Sequence, residues 1–185
     1  MRLFFAIDFE DNFKDKITEE INLYRNHTRS IKWINRRSLH LTLKFLGETS
    51  PDVCNAICKD LLTSFETVQQ FVIATAETGF FPNKRNPRIF FLNLVFPREL
   101  NMIHQYLEKN LQLFGFKKEN RKFHPHITLA RIKQENADNK EIDVLNSLNI
   151  KPLNSTINEI LLIQSKLTPS GARYTPVQKF SLRTK

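Results

Sequence analysis

The chain has 185 residues, of which 41% are hydrophobic and 25% are charged, a composition typical of a soluble globular protein. This length suits one compact domain, or two small lobes that share a core, and excludes two larger independent domains. Lysine and arginine outnumber aspartate and glutamate by 28 to 19, which gives a formal net charge of +9. That excess favours a polyanionic partner such as nucleic acid or an anionic membrane face.

Several features favour a soluble protein of a reducing compartment. The apolar run at residues 2–7 is followed by acidic residues and is too short for the core of a signal peptide. No stretch approaches the roughly 20 apolar residues that a membrane helix needs. Cys54 and Cys58 are four residues apart in one predicted helix, where a disulfide between them is geometrically unfavourable. We therefore expect free thiols, a cytoplasmic protein and no membrane partner.

Hydrophobic periodicity and turn residues predict four helices and several strands in chain order. The predicted strands are residues 2–7, a strand with His40 and Thr42, 71–76, 88–96, a strand with His126 and Thr128, 158–166 and 173–182. The predicted helices are residues 11–26, a helix that begins at Ser50-Pro51 and includes Phe65, a helix with an apolar stripe over 100–114, and 140–148. Gly115 is suited to end the third helix, and residues 168–171 are predicted to connect the last two strands.

Two short sequence matches recur at one spacing. Arg2-Leu3-Phe4-Phe5 returns as Arg88-Ile89-Phe90-Phe91, and His40-Leu41-Thr42-Leu43 returns as His126-Ile127-Thr128-Leu129, in both cases 86 residues later. The shared offset suggests a duplicated unit, although coincidence stays open for the first match. We therefore predict an α+β fold, with residues 1–185 as one domain and two pseudo-equivalent sheet-and-helix lobes around a central cleft.

The repeated His-x-Thr segments contain the residues best suited to catalysis. Because residues i and i+2 of a strand share a face, His40 lies with Thr42, and His126 lies with Thr128. If a pseudo-twofold axis relates the lobes, both pairs meet in one cleft. One imidazole can then act as a base and the other as an acid near neutral pH, while the threonine hydroxyls donate hydrogen bonds to a phosphate. This combination suits the cleavage of a cyclic phosphodiester.

The two copies diverge directly after the repeated tetrads. Lys44-Phe45 follows the first tetrad, and Ala130-Arg131 follows the second. The guanidinium of Arg131 is suited to bind a phosphate through two hydrogen bonds. Strict alternation places Arg131 on the face opposite His126, so this role requires a β-bulge or the end of the strand.

The sequence gives less support for other roles of the histidines. His124 and His126 share a strand face and form a possible metal half-site, but no further histidine or carboxylate lies close in sequence to complete it. His27 and His104 are expected to be surface or helix-packing residues. No nucleophile elbow and no glycine-rich phosphate loop is present. The remaining chemistry is acid–base catalysis without a covalent intermediate.

Further residues, distributed over the whole chain, follow one family pattern together with the two tetrads. They are residues 2–7, Trp33, residues 40–48, Gly79, Phe81-Pro82, Pro87-Arg88, residues 123–131, Ser165, Gly171 and Tyr174. With these residues at this spacing, the sequence resembles the two-histidine phosphoesterase superfamily, specifically the bacterial and archaeal RNA 2',3'-cyclic phosphodiesterases once called 2'-5' RNA ligases.

This resemblance implies a bilobal α+β fold and the hydrolysis of RNA 2',3'-cyclic phosphate ends to 2'-phosphomonoesters, without a metal or another cofactor. By the family pattern, His40 donates a proton to the 3'-oxygen and His126 accepts a proton from water. Thr42, Thr128 and Arg131 are the predicted substrate-binding residues. The expected partner is RNA with a 2',3'-cyclic phosphate terminus, and we expect the protein to be a monomer.

Basic and aromatic residues outside the tetrads are candidates for wider contacts with RNA. They are Arg36-Arg37, Lys84-Arg85, Lys117-Lys118 and Arg121-Lys122 for phosphates, and Trp33, Phe81 and Tyr174 for base stacking. A merely solvated surface explains the charges equally well. Two other functions also fit the sequence: a phosphodiesterase or ligase for 2'-5' linked oligonucleotides, and a non-catalytic RNA-binding module.

Overall fold

The structure is a computed structural model that describes residues 1–133, 138–169 and 171–184. Within these ranges, 3₁₀ turns are present at Arg36–Ser38 and Leu111–Phe114. The helices are α1 (Asp11–Arg25), α2 (Pro51–Leu61), α3 (Arg98–Asn110) and α4 (Asn139–Ser147). The strands are β1 (Arg2–Asp8), β2 (Lys32–Trp33), β3 (His40–Glu48), β4 (Phe71–Phe81), β5 (Ile89–Leu94), β6 (His126–Arg131), β7 (Asn154–Ile157), β8 (Glu159–Thr168) and β9 (Gly171–Ser181).

These elements confirm the predicted α+β class and the presence of each predicted helix. Two helices end earlier than predicted: α2 ends at Leu61, before Phe65, and α3 gives way to a 3₁₀ turn at Leu111–Phe114. The hydroxyl of Ser50 caps α2 by accepting a hydrogen bond from the Val53 N–H at 3.3 Å. Gly115 ends the segment after α3 in the left-handed conformation, with a φ of 86°. β2 and β7 were not predicted, because two and four residues are too short for a periodic pattern. Of the predicted connection at residues 168–171, Ser170 lies outside the described residues.

The strands form one sheet with the order β7-β4-β5-β6-β3-β1-β8-β9, and β2 pairs with β6. The pairings between these strands are antiparallel in the described part of the chain. The two strands that begin with the candidate histidines, β3 and β6, are neighbours at the centre. The two predicted lobes are therefore the two halves of one continuous sheet, which meet at these strands.

The register at the centre of the sheet determines which polar residues are neighbours. Leu41 of β3 is paired with Ile127 of β6. Because the two strands run in opposite directions, this register brings His40 beside Thr128 and Thr42 beside His126. Each candidate histidine thus lies next to the threonine of the other repeat.

The registers also show that one of the two sequence matches is not a structural equivalence. Thr42 is paired with Ala6, and Thr128 is paired with Phe91. The two threonines are 86 residues apart, whereas their partners Ala6 and Phe91 are 85 residues apart. The Arg-x-Phe-Phe match, which has an offset of 86, is therefore out of register by one residue. The duplication itself stays a prediction.

The two faces of the sheet differ in what covers them. Residues from all four helices pack into one hydrophobic core with the inward side chains of the central strands, Leu41, Leu43, Ile127 and Leu129. A smaller apolar cluster of Phe4, Ala6, Leu161 and Ile163, with Tyr174 against it, lies on the other face. The alternation of side chains directs the histidines and threonines of both repeats to this second face. Among the described residues, no helix is long and apolar enough to span a membrane.

A buried ion pair connects β3 to α3. The Lys44 ammonium lies 2.8 and 2.9 Å from the two carboxylate oxygens of Glu108, and these side chains are only 5% and 6% exposed. Lys44 also donates to the Lys117 carbonyl, and the Glu119 N–H donates to Glu108, both at 2.8 Å. Burial opposes ionisation of Glu108, but the hydrogen bonds that Glu108 accepts from Lys44 and from the Glu119 N–H outweigh this effect and lower the pKa of Glu108. The pair therefore fixes residues 117–119 against the core.

We predict that Lys44→Met destabilises the protein by about 3–5 kcal/mol, because it leaves the Glu108 carboxylate buried without a counter-charge. The matched control is Lys179→Met, which breaks the exposed ion pair between Lys179 and Glu159 at 3.0 Å. An exposed pair contributes about 0–1 kcal/mol. Urea unfolding of both variants measures the difference, and equal losses of stability in the two would contradict the prediction.

Candidate active site

A cavity of about 380 Å³ lies on the face of the sheet to which the histidines and threonines of both repeats point. The five residues that the sequence predicts for the site all line it: His40, Thr42, His126, Thr128 and Arg131. Aromatic and apolar residues complete its walls, among them Phe4, Phe45, Ile34, Ile89 and Tyr174. A volume near 400 Å³ is at the lower end of the range for small-molecule sites, which is about 300–1,000 Å³.

The ring of His40 is held by one hydrogen bond and two aromatic contacts. Its Nδ1 lies 2.7 Å from the carbonyl oxygen of Ser38. Because a carbonyl only accepts, Nδ1 carries the hydrogen of the neutral ring, and Nε2 is the nitrogen left for a ligand. The rings of Phe4 and Tyr174 each lie 5.1 Å from the imidazole centroid. These contacts restrict the rotation of the ring.

His126 is held in the same way on the other half of the sheet. Its Nδ1 lies 2.7 Å from the carbonyl oxygen of His124, which again leaves Nε2 free. The rings of Phe81 and Phe91 lie 5.0 and 5.4 Å from the imidazole centroid. Gly79 permits this packing, because a Cβ at that position would lie 2.6 Å from the Phe91 ring. A glycine inside β4 is therefore a requirement for the aromatic wall around His126.

Burial lowers the pKa of both imidazoles below the ordinary value. For His40, the effect of burial is opposed by the Ser38 carbonyl and by the negative charge of Asp8, while Lys14, which forms an ion pair with Asp8, and His126 lower the pKa further. For His126, it is opposed by the His124 carbonyl, while the neighbouring His124 ring lowers the pKa further. Asp8 is the cross-strand partner of His40, whereas the cross-strand partner of His126 is the neutral Asn93. The electrostatic surroundings of the two histidines are thus unequal.

A β-bulge in β6 determines the position of Arg131. Ala130 is paired with Phe90 and Thr128 with Phe91, so Leu129 is the extra residue of the strand. The bulge restores Arg131 to the face of Thr128, and the side chain lines the cavity. The sequence showed that a bulge or a strand end was needed, but it did not show which.

A second bulge at the equivalent place in β3 presents a residue that sequence reasoning missed. Phe45 is paired with Phe4, Lys44 with Phe5 and Thr42 with Ala6, so Leu43 is the extra residue. Lys44 consequently turns into the core, and Phe45 turns to the cavity with 71% of its surface exposed. The available signal was the divergence of Lys44-Phe45 from Ala130-Arg131.

Other candidate contacts have different positions in the structure. The indole N–H of Trp33 donates to the Thr28 hydroxyl at 2.9 Å, and the ring packs against the core, so Trp33 does not line the cavity. The Arg36 guanidinium is bound by the carboxylates of Asp11 and Asp15. Tyr174 and Phe81, by contrast, contact the two candidate histidines.

In the possible metal half-site of His124 and His126, one ring nitrogen of His124 already forms a hydrogen bond. The Nε2 atom of His124 lies 2.6 Å from the side-chain oxygen of Asn93, and that oxygen only accepts. His124 therefore uses this nitrogen as a donor to Asn93 rather than as a ligand atom. Within residues 1–133, 138–169 and 171–184, no group of three or more histidine, cysteine, aspartate or glutamate side chains is arranged to hold a metal ion.

Comparison with known proteins identifies relatives that match nearly the whole chain. A relative from Methanocaldococcus jannaschii is 30% identical, over 97% of this chain and 100% of its own length. One from Methanothermobacter thermautotrophicus is 26% identical, over 98% and 99% of the two chains. Both relatives bear the name RNA 2',3'-cyclic phosphodiesterase.

Solved structures give the same result at the level of the fold. A crystal structure of a protein from Thermus thermophilus superimposes with a TM-score of 0.80 and 26% identity, over the full length of both chains. E. coli LigT in complex with 3'-AMP gives a TM-score of 0.76 and 27% identity, over 98% of this chain and 97% of LigT. The family model described as the 2'-5' RNA ligase superfamily matches residues 13–168. The chain belongs to this superfamily.

Proposed function

We propose that the protein hydrolyses the 2',3'-cyclic phosphate at the end of an RNA to a 2'-phosphomonoester. The observation that carries this proposal is the pair of imidazoles in one cavity, each with Nδ1 bonded to a backbone carbonyl and Nε2 left for the substrate. The name RNA 2',3'-cyclic phosphodiesterase, which relatives matching 97–98% of this chain bear, supports the same reaction.

In the proposed reaction, the Nε2 atom of His126 accepts a proton from a water molecule whose oxygen attacks the phosphorus. The bond between phosphorus and O3' then breaks, and protonated His40 donates its proton to O3'. The products are a 2'-phosphate and a free 3'-hydroxyl. Asp8 opposite His40 favours the protonated ring, but Lys14, which forms an ion pair with Asp8, disfavours it, so the acid role of His40 follows the family pattern. His126, opposite neutral Asn93, is the proposed base.

The remaining site residues stabilise the phosphate in this scheme. Thr42 and Thr128 line the cavity, where their hydroxyls can donate to the non-bridging oxygens. Arg131 supplies a positive charge and two parallel N–H donors as charge develops in the transition state. Acid, base and counter-charge are all side chains in this mechanism, so it requires neither a metal nor another cofactor.

The proposal includes the partner, the oligomeric state and the location of the protein. RNA with a 2',3'-cyclic phosphate terminus is the proposed partner, and we propose a monomer in the cytoplasm. Cys54 and Cys58 are free thiols on α2, in keeping with a reducing compartment. Size-exclusion chromatography with light scattering tests the monomer directly.

The decisive experiment is an assay of the purified protein with nucleoside and oligonucleotide 2',3'-cyclic phosphates in the presence of EDTA. Chromatography that separates 2'-phosphates from 3'-phosphates identifies the product, and we predict only the 2'-phosphate. Parallel reactions with 2'-5' linked oligonucleotides test the alternative substrate class. The proposal fails if no cyclic phosphate is opened, and the metal-free mechanism fails if EDTA stops the reaction.

We predict that His40→Ala and His126→Ala each lower kcat by about 10²–10⁴-fold, the usual contribution of general acid–base catalysis. Binding of a 2'-phosphorylated oligonucleotide should largely survive in both variants, because Arg131 and the threonines remain. His27→Ala is the matched control, since His27 is exposed and does not line the cavity. A loss of binding as large as the loss of turnover would favour the binding-module function instead.

The pH dependence of kcat/KM should be bell-shaped, with its maximum below about pH 6.5, the ordinary pKa of histidine. Activity falls at low pH because protonation removes the base at His126, and at high pH because deprotonation removes the acid at His40. Burial lowers the pKa of both rings, so both limbs move to lower pH. Steady-state kinetics from about pH 4 to 9 measure the profile, and a single limb would argue against an acid–base pair.

A further inference from the structure

A second groove, of about 830 Å³, opens beside the active-site cavity. Thr42, Phe45 and His126 line both spaces, so a ligand that occupies one can continue into the other. The residues that line only the second groove come from β3, from the end of β4 and the loop after it, from α3 and from the segment before β6. Those that concern its chemistry are Phe81, Arg88, His104, Arg121, Lys122 and Phe123.

Phe45 forms the border between the cavity and the second groove. Its side chain is 71% exposed on the cleft face, where the bulge of β3 places it. The ring centroids of Phe4 and Phe45 are 5.8 Å apart with an interplanar angle of 38°, so Phe4 contacts a ring that is otherwise largely exposed. A large aromatic side chain exposed between two adjoining cavities is suited to stack on a nucleobase.

A second aromatic part of the groove lining is held by stacking and by a buried ion pair. The rings of His104 and Phe123 stack with centroids 4.0 Å apart and an interplanar angle of 12°. The buried pair of Lys44 and Glu108 binds the backbone of residues 117–119, where the segment that includes Phe123 begins. The groove is therefore preformed, which reduces the entropy that a ligand loses on binding.

The charges of the groove favour an anion. Arg88, Arg121 and Lys122 are exposed along it, and none of them forms an ion pair with a carboxylate in the described part of the chain. The two carboxylates in its lining are Glu108, which is neutralised by Lys44, and Glu119. Three cations therefore face one uncompensated carboxylate.

We propose that the second groove binds the nucleotide on the 5' side of the terminal cyclic-phosphate nucleotide. Phe45 stacks on its base, and Arg88, Arg121 and Lys122 contact its phosphodiester. An RNA that ends in a 2',3'-cyclic phosphate continues only in the 5' direction, so a groove that adjoins the catalytic cavity is suited to bind this part of the chain. The inference rests on the proposed function. It predicts that the protein acts on RNA ends in preference to free nucleotides.

The test compares two substrates: a nucleoside 2',3'-cyclic phosphate, and a dinucleotide that ends in a 2',3'-cyclic phosphate. The wild type should have the higher kcat/KM with the dinucleotide. Phe45→Ala should reduce the dinucleotide-to-mononucleotide ratio of kcat/KM about tenfold, the order of one lost base stack. Phe45→Trp should retain the ratio, because indole also stacks.

A second variant tests the phosphate contact separately. Arg121→Gln should weaken binding of the dinucleotide 2'-phosphate and reduce the slope of log affinity against log salt by about 0.7, the value for one lost contact with a single strand. Binding of the mononucleotide 2'-phosphate should keep its slope. The matched controls are Leu113→Ala, at a residue that is 80% exposed, and Arg29→Gln; neither residue lines the cavity or the groove.

The two proposals fail in different ways in this experiment. If the wild type hydrolyses neither substrate, the proposed function is wrong, and the product-binding measurements still decide the role of the groove. If the wild type is active but Phe45→Ala and Arg121→Gln leave the ratio and the salt slope as in the controls, the groove does not bind RNA. An equal loss with both substrates would likewise overturn the proposal.

Discussion

The antiparallel contact between β3 and β6 is the constraint on which the site depends. In this contact, Leu41 is paired with Ile127. On the core side of the sheet, Leu43 and Leu129 are buried among residues of α1, α2, α3 and α4. Because these apolar residues alternate with the polar ones, anchoring the apolar set in the core directs both His-x-Thr pairs to the same open face. A slip of one residue would place the histidines in the core, so the packing beneath the sheet also maintains the chemistry above it.

The two halves of the sheet have similar strand pairings around β3 and β6, but different residues at corresponding positions. Each His-x-Thr strand has a bulge after its threonine, at Leu43 and at Leu129, and each bulge turns the second residue beyond it toward the cleft. That residue is aromatic in β3 and cationic in β6. The residues opposite the histidines also differ between the two halves: Asp8, with a carboxylate, lies opposite His40, and the neutral Asn93 lies opposite His126. The proposed acid, base, phosphate site and base-stacking site are thus distinct residues on one nearly symmetric frame.

Local patterns in the sequence were sufficient for much of this arrangement. The period of two in residues 40–43 and 126–129 placed each histidine with its threonine, and cap residues such as Ser50 and Gly115 marked helix ends. Features that depend on pairing partners were not accessible, because a bulge is defined by the neighbouring strand. Phe45 was therefore missed, and the Arg-x-Phe-Phe match appeared equivalent although the registers separate it by one residue. The buried pair of Lys44 and Glu108 joins residues 64 positions apart, and its partners share no sequence pattern.

The burial of both imidazoles has a consequence for how the proposed reaction begins. Desolvation lowers the pKa of His40 and of His126, so the free site disfavours the protonated acid that the chemistry needs. A bound phosphodiester adds a negative charge beside His40 in surroundings where water screens little, and this charge favours the imidazolium. Arg131 attracts the same anion without competing for the proton, because a guanidinium stays charged. In the proposed reaction, substrate binding therefore promotes protonation of the acid.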